Sequence, residues 1–297
     1  MDRRTFLSGL ALACCVGCVS HESQLTVGSK NFTEQLILGE LLKQYLRRVC
    51  RMPVEGRFYL AGTYICQQAI LAGRIDTYVE YTGTALAAIL KEQYSGDPAA
   101  VYRRVREEYK RRFDLDVMPP LGFNNSFAMV MRGDEARRLG VTTLSQLAPS
   151  APTMQLGVGY EFLEREDGYR GLVKTYDLHF ADQPRVMDLG LLYRALQNQS
   201  VDIVAGNNTD GLIAALGLVV LEDDKHYFPP YDAVPIVRPA MFQKCPQAQA
   251  AFDRLAGRIT ADGMRTMNYA VDGEKKDAAA VAREFLVKAQ LLPQQPA

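Results

Sequence analysis

The stretch Ala69-Ile70-Leu71-Ala72-Gly73-Arg74-Ile75-Asp76-Thr77-Tyr78-Val79-Glu80-Tyr81-Thr82-Gly83 carries the fold reading, because its plan returns later at one constant offset. Ala69, Gly73, Ile75-Asp76 and Tyr81-Thr82-Gly83 correspond to Ala195, Gln199, Val201-Asp202 and Asn207-Asn208-Thr209. Each copy reads as a helix, a polar turn, a strand carrying an aspartate, and a polar loop at the strand's C-terminal end. Upstream, Leu25-Thr26-Val27-Gly28-Ser29 is matched by Leu156-Gly157-Val158-Gly159-Tyr160, each followed by an acidic, helix-starting segment. The spacing predicts strands at Gln24–Gly28, Gly56–Leu60 and Ile75–Val79. It predicts helices at Phe32–Arg48, Thr63–Leu71 and Ala99–Arg112. Alternating strands and helices give open α/β sheets, and the repeat gives two lobes of similar topology. Ligands of such sheets bind beyond the strand C-termini, and helix N-termini there favour an anionic group. Two turn-rich stretches, Gly122–Phe127 and Tyr227–Pro235, are the expected hinge crossings. Helices at Pro246–Ile259 and Ala278–Leu291 are expected to pack back on the first lobe.

Composition narrows the function. The 297 residues carry 34 basic and 34 acidic side chains, so the basic footprint of a nucleic-acid partner is missing. Internal segments lack the ~20-residue apolar run of a membrane span. With no tryptophan and 15 tyrosines, an aromatic site must use Tyr or Phe. Three histidines, and no Gly-x-Ser-x-Gly, P-loop or zinc motif, argue against an enzyme. Asp223, Asp224 and His226 read as a solvated loop rather than a metal site. No metal or cofactor is expected.

The N-terminus reads as a targeting segment spanning, with its linker, residues 1–23. Arg3-Arg4-Thr5-Phe6-Leu7 resembles a twin-arginine export signal, with an ordinary secretory signal as the alternative. The apolar or small stretch Phe6–Gly17 holds Cys14 and Cys15 and is followed by Cys18. Ala13-Cys14 and Gly17-Cys18 each partly fit a lipoprotein processing site, so Cys14 or Cys18 is the expected lipidation point. Of the remaining cysteines, Cys50 and Cys66 form either a disulfide or two buried apolar side chains, and Cys245 is left over.

Several ordered motifs resemble those of the glycine betaine/choline-type substrate-binding proteins of ABC osmoprotectant importers. They are Gly28-Ser29-Lys30-Asn31-Phe32-Thr33-Glu34-Gln35, Glu80-Tyr81-Thr82-Gly83-Thr84, Leu121-Gly122-Phe123-Asn124-Asn125, Asp167-Gly168-Tyr169, Thr209-Asp210-Gly211, and Leu221-Glu222-Asp223-Asp224-Lys225 leading to Phe228-Pro229-Pro230-Tyr231. The resemblance implies a two-lobed type II periplasmic-binding fold. Residues 24–126 and 231–297 would form lobe one, and residues 127–230 lobe two. It also implies a monomer that binds a quaternary ammonium compound in an aromatic cage and hands it to an ABC permease with its ATPase subunit.

Carried over by motif, Tyr81 and Tyr231 supply cage rings, since a ring face attracts a weakly hydrated cation. Thr84 supplies a hydroxyl, Lys30 faces the ligand's anionic end, and Asn125 adds a polar contact at the hinge. Arg165 clamps a carboxylate from lobe two, and its loss is expected to leave the ligand-free protein's melting unchanged. Phe127 stands where the family has tyrosine and keeps the ring; Asn207 stands where it has tyrosine and offers an amide. A three-ring cage is therefore expected. A larger amino-acid betaine such as ergothioneine, another small solute, and a sensor lipoprotein without a transporter are the alternatives.

Overall fold

The structure is a computed structural model that describes residues 24–93 and 97–294. The targeting segment, with Cys14 and Cys18, lies outside the described residues. Ten strands form two five-stranded mixed sheets. The first holds β1 (Leu25–Gly28), β2 (Val54–Arg57), β3 (Thr77–Tyr81), β4 (Asp116–Val117) and β10 (Ala233–Val237), in the order β2-β1-β3-β10-β4. The second holds β5 (Phe127–Arg132), β6 (Leu156–Val158), β7 (Arg185–Val186), β8 (Ile203–Asn207) and β9 (Leu218–Leu221), in the order β7-β6-β8-β5-β9. In each sheet the first three strands are parallel and the fourth is antiparallel to both its neighbours. That fourth strand, β10 or β5, is the one that arrives directly from the other lobe.

The repeat is visible in hydrogen bonds. The Thr26 amide donates to Asp76 Oδ2 at 2.8 Å, and the Gln155 amide donates to Asp202 Oδ2 at 2.8 Å. Each aspartate precedes the third strand in its sheet's order, β3 or β8, and ties it to the start of the second, β1 or β6. Each also meets an arginine just past or at the end of the antiparallel strand: Arg238 at 3.7 Å from Asp76, and Arg132 at 3.2 Å from Asp202. The two arginines are related by a different offset from the aspartates, because β5 and β10 enter their sheets at different points of the chain order.

The two crossings run side by side. Asn124 and Asp232 form an antiparallel bridge, the Asn125 amide donates to the Tyr231 carbonyl at 3.0 Å, and the Leu121 amide donates to the Ala233 carbonyl at 2.8 Å. Thr82 anchors this ribbon: its hydroxyl donates to the Pro230 carbonyl and accepts from the Asp232 amide. Gly83 is forced by the same contact, since a Cβ there would lie 2.7 Å from the Pro230 carbonyl oxygen.

Helix Thr33–Cys50 buries Ile37, Leu38, Leu41, Leu42, Tyr45 and Leu46, a stripe at helical spacing, and ends at Arg51 in the left-handed region. Helices Gln247–Leu255 and Ala278–Lys288 pack against it. Helix Pro98–Phe113 starts on Asp97, whose side chain accepts from the Ala99 amide.

Several expectations need correction. The third strand runs Thr77–Tyr81, two residues later than Ile75–Val79, and Thr82–Leu90 is helical, with a π-type stretch from Ala85, rather than a loop. Helix Ala261–Asp272 was not among the expected elements; it buries Met264, Met267 and Asn268. Cys50 pairs with Cys245, not Cys66: the sulfurs are bonded, with Cα atoms 5.5 Å apart. Cys66 is a buried free thiol, pushed up to about 12 by burial. It packs in the cluster around Ile70, Ile75 and Tyr78, whereas Cys50 packs with the helices of the larger core.

Candidate ligand-binding site

A cavity of about 360 Å³ lies between the lobes, where strand C-termini of both sheets converge with the crossings. All eight residues expected at the site line it: Lys30, Tyr81 and Thr84 from lobe one, Asn125, Phe127 and Tyr231 at the crossings, and Arg165 and Asn207 from lobe two. Lys30 and Asn31 follow β1, Tyr81 ends β3, and Asn207 ends β8. The repeat thus puts equivalent loops on opposite walls.

Aromatic side chains dominate the lining. Tyr81, Phe127 and Tyr231 are joined by Phe32, Phe162 and Tyr160, against three rings expected. Phe127 is central: it meets Phe162 edge-on at 4.9 Å and Tyr231 edge-on at 5.7 Å. Phe32 stacks on Tyr81 at 6.5 Å. Phe162 sits in Glu161-Phe162-Leu163-Glu164-Arg165, beside a residue that was singled out. Phe32 falls immediately before its helix. Helical spacing with Leu36 and Tyr45 reads Phe32 as a packing residue, and no signal in the sequence sets Phe162 apart.

The two basic side chains are both engaged by the protein itself. Lys30 is buried, hydrogen-bonded to Glu80, and 4.9 Å from the centre of the Tyr81 ring. Lys30 therefore reaches the cavity already paired with Glu80. Arg165 forks onto Asp167 at 2.8 and 2.5 Å, and the same guanidinium donates to Thr84 Oγ1 at 3.1 Å across the cleft. It also lies 4.8 Å from the Phe127 ring centre. Its Nη1 makes no hydrogen bond among the described residues, and Thr84 keeps a hydroxyl proton to donate.

Behind the rings lies a polar hub that sequence reasoning missed. The Tyr81 hydroxyl donates to Glu34 Oε1 at 2.6 Å and accepts from Gln35 at 3.0 Å. Asn125 donates to Glu34 Oε1 at 2.8 Å, and Asn268 donates to Glu34 Oε2 at 3.1 Å. Asn268 also donates to the Thr209 carbonyl of lobe two at 2.9 Å. Burial pushes the Glu34 carboxyl up, against the opposing effect of the hydrogen bond from Tyr81 and those of its other neighbours. Asn125 Oδ1 is buried without a partner among the described residues, so it can accept from a ligand. On the other wall, the Tyr231 hydroxyl donates to Asp167 Oδ2 at 2.6 Å. Asp210 accepts from the Tyr193 hydroxyl at 2.5 Å and the Asn207 amide at 2.9 Å, and burial pushes it up to about 7.

The rim closes lobe on lobe. The Glu161 carboxylate sits so near Gly62 that a Cβ there would lie 2.1 Å from an oxygen. Gly62 caps the N-terminus of helix Thr63–Leu71, whose positive end suits a carboxylate.

Two α/β lobes, a double crossing and a cavity between them define a solute-binding protein. The match is specific. Residues 23–288 fit the family described as the substrate-binding domain of ABC-type glycine betaine transport systems, and the chain belongs to that family. It is thus of the substrate-binding component type of these importers. It is 33% identical over 285 residues to the carnitine transport binding protein OpuCC of Listeria monocytogenes, covering 95% of this chain and 92% of that protein. It is 33% identical over 266 residues to the ergothioneine transport permease/ergothioneine binding protein EgtU of Helicobacter pylori, covering 89% of this chain and 47% of that one. The crystal structure of a glycine betaine/carnitine/choline ABC transporter protein superposes with a TM-score of 0.74 at 30% identity, covering 90% and 99% of the two chains. No described helix is long and apolar enough to cross a membrane.

Proposed function

We propose that the protein binds a quaternary ammonium compound (glycine betaine, choline, carnitine or a related betaine) in the inter-lobe cavity and delivers it to an ABC permease. The observation that carries this is the cavity lining: six aromatic side chains around a space that two already paired basic groups enter. Ring faces attract a weakly hydrated cation without a lone acid in contact. Tyr81, Phe127 and Tyr231 hold the ammonium group. Arg165 Nη1, the Thr84 hydroxyl and Asn125 Oδ1 serve the ligand's polar end. Lys30 acts mainly through Glu80 and the Tyr81 ring, and Asn207 contacts the far end of the ligand.

Arg165 and Thr84 bridge the lobes when the cleft is closed, and closure excludes water and strengthens every polar contact inside. The ribbon of the two crossings, between residues 126 and 127 and between 230 and 231, is the hinge. The protein works outside the cytoplasm as a monomer, exported by the twin-arginine-like signal and anchored through Cys14 or Cys18. The Cys50–Cys245 disulfide supports an oxidising compartment.

A larger amino-acid betaine of the ergothioneine type is the second reading. It is favoured by Asn207, whose amide replaces a ring on the lobe-two wall, and by a cavity with room beyond a trimethylammonium group. Calorimetric titration of the mature protein with glycine betaine, choline, carnitine and ergothioneine, with arginine as a control, tests both. Binding of a methylated ammonium but not arginine is expected. Silence across the panel from folded, ligand-free protein would remove the proposal.

A further inference from the structure

The charges around the cavity do not cancel in pairs. Lys30 has Glu80 and Arg165 has Asp167. Glu34 is equally buried, at 2% exposure, yet its hydrogen-bond partners among the described residues are neutral: Tyr81, Asn125 and Asn268. A buried carboxylate without a cation is costly, so its place at the centre of the site calls for a reason. It does not line the cavity. It reaches the cavity through the Tyr81 hydroxyl, which donates to Glu34 while accepting from Gln35.

The geometry points to Glu34 as the buried counter-charge for the ligand's cationic group, acting through Tyr81. This inference rests on the quaternary ammonium reading above. A phenol that donates to a carboxylate gains electron density in its ring, since hydrogen-bonded groups polarise one another at low dielectric. The Tyr81 ring thereby offers a stronger negative face to a cation. No contact between carboxylate and ligand is needed, so the ammonium group is not asked to give up a close hydration partner. Tyr231 has a similar link to Asp167, but Arg165 neutralises that carboxylate. Glu161 and Asp188 line the cavity from lobe two without a cation among the described residues, but at more exposed positions. The fully buried unpaired carboxylate is on the lobe-one wall, and Glu34 is a positioning and specificity residue rather than a contact.

The two functions of Glu34, shaping the wall and selecting charge, separate with paired probes. Choline and 3,3-dimethylbutan-1-ol share a shape but differ in charge, as do glycine betaine and 3,3-dimethylbutanoate. Affinities of wild type, Glu34→Gln, Tyr81→Phe and the double variant are measured by calorimetry, with competition for the weaker isosteres. Glu34→Gln is expected to weaken the cations about tenfold, and to change the uncharged-headgroup isosteres by less than about twofold. Tyr81→Phe, which keeps the ring, should lose the same discrimination, and the double variant should lose little more than either single one. Equal losses on cation and isostere, no loss on either, or losses that simply add in the double variant would each overturn the inference while leaving the binding reading intact. Failure of wild type to bind any methylated ammonium would overturn both.

Discussion

In lobe one the third strand runs out through Tyr81 to Thr82-Gly83-Thr84; in lobe two the equivalent strand runs out through Asn207 to Asn208-Thr209-Asp210. The frames match down to the aspartates that fasten strand to strand, yet the walls they present differ. Lobe one offers a ring with a carboxylate behind it, and a threonine hydroxyl. Lobe two offers a neutral amide, and its Asp210 is turned back onto Tyr193 and the Asn207 amide. The cation in lobe two's wall comes instead from Arg165, on a segment after β6. A duplicated scaffold has thus been given opposite chemical duties at equivalent positions, which suits a ligand with two unlike ends.

That comparison can be broken most directly at Arg165. Arg165→Ala removes the bridge to Thr84 and leaves Asp167 buried without its cation, a defect that costs about 3–5 kcal/mol. Titration should show at least about tenfold weaker binding. Contrary to the expectation from sequence, the melting temperature of the ligand-free protein should also fall. Unchanged melting would mean that Asp167 is not held as described.

Next is the disulfide, which belongs to lobe one. Replacing Cys50 and Cys245 by alanine should lower the unfolding free energy by about 2–4 kcal/mol in denaturant titrations. Cys66→Ala should show no such loop effect.

The third concerns pH. Asp210 titrates near 7 in the folded protein because burial disfavours its charge, against 3.8 when free. The folded state then holds a proton that the unfolded state has released, so stability declines as pH rises from about 4 to about 7. The groups facing Asp210 are Tyr193, the Asn207 amide, and the Glu34 and Asp272 carboxylates, and both acids act in the same direction. Asp210→Asn should flatten the profile by up to about 4 kcal/mol. A profile as steep as wild type would place the titration elsewhere.

The smallest effect compares the paired aspartates. Asp76 is buried and meets Lys244 at 3.1 Å as well as Arg238; Asp202 is half-buried with Arg132 alone. Asp76→Asn should therefore cost about 2 kcal/mol and Asp202→Asn about 1 kcal/mol. Equal losses would show that the amide bonds, not the cations, carry both positions.

Much of this was written plainly in the chain. Alternating elements and the aspartate repeat pointed to two lobes, and the ordered motifs, through the family resemblance, pointed to the eight lining residues. What stayed hidden depended on distance in sequence. The Arg132–Arg238 correspondence is masked by the offset of the exchanged strands. The partner of Cys50 lies 195 residues away. Asn268 shares the buried face of its helix with Met264 and Met267, and an amide on a helix reads as a surface residue until its partners are known. Glu34 was the exception: it falls three and four residues before Ile37 and Leu38, on the buried face of its helix, and an acid on an apolar stripe was a readable signal. Phe32, Tyr160 and Phe162, which line the cavity beside the three expected rings, carry no motif that sets them apart from ordinary packing residues.

The exchange of strands also sets an order of assembly. All strands of the second sheet lie within residues 127–221, so lobe two has its whole sheet available as a continuous run. Lobe one does not: β10 lies between β3 and β4, so its sheet has a gap until residue 237 has emerged. The disulfide that locks lobe one needs residue 245. A chain delivered from its N-terminus therefore completes its second lobe first, and holds the first lobe's exposed strand edges open until the return segment arrives to fill them.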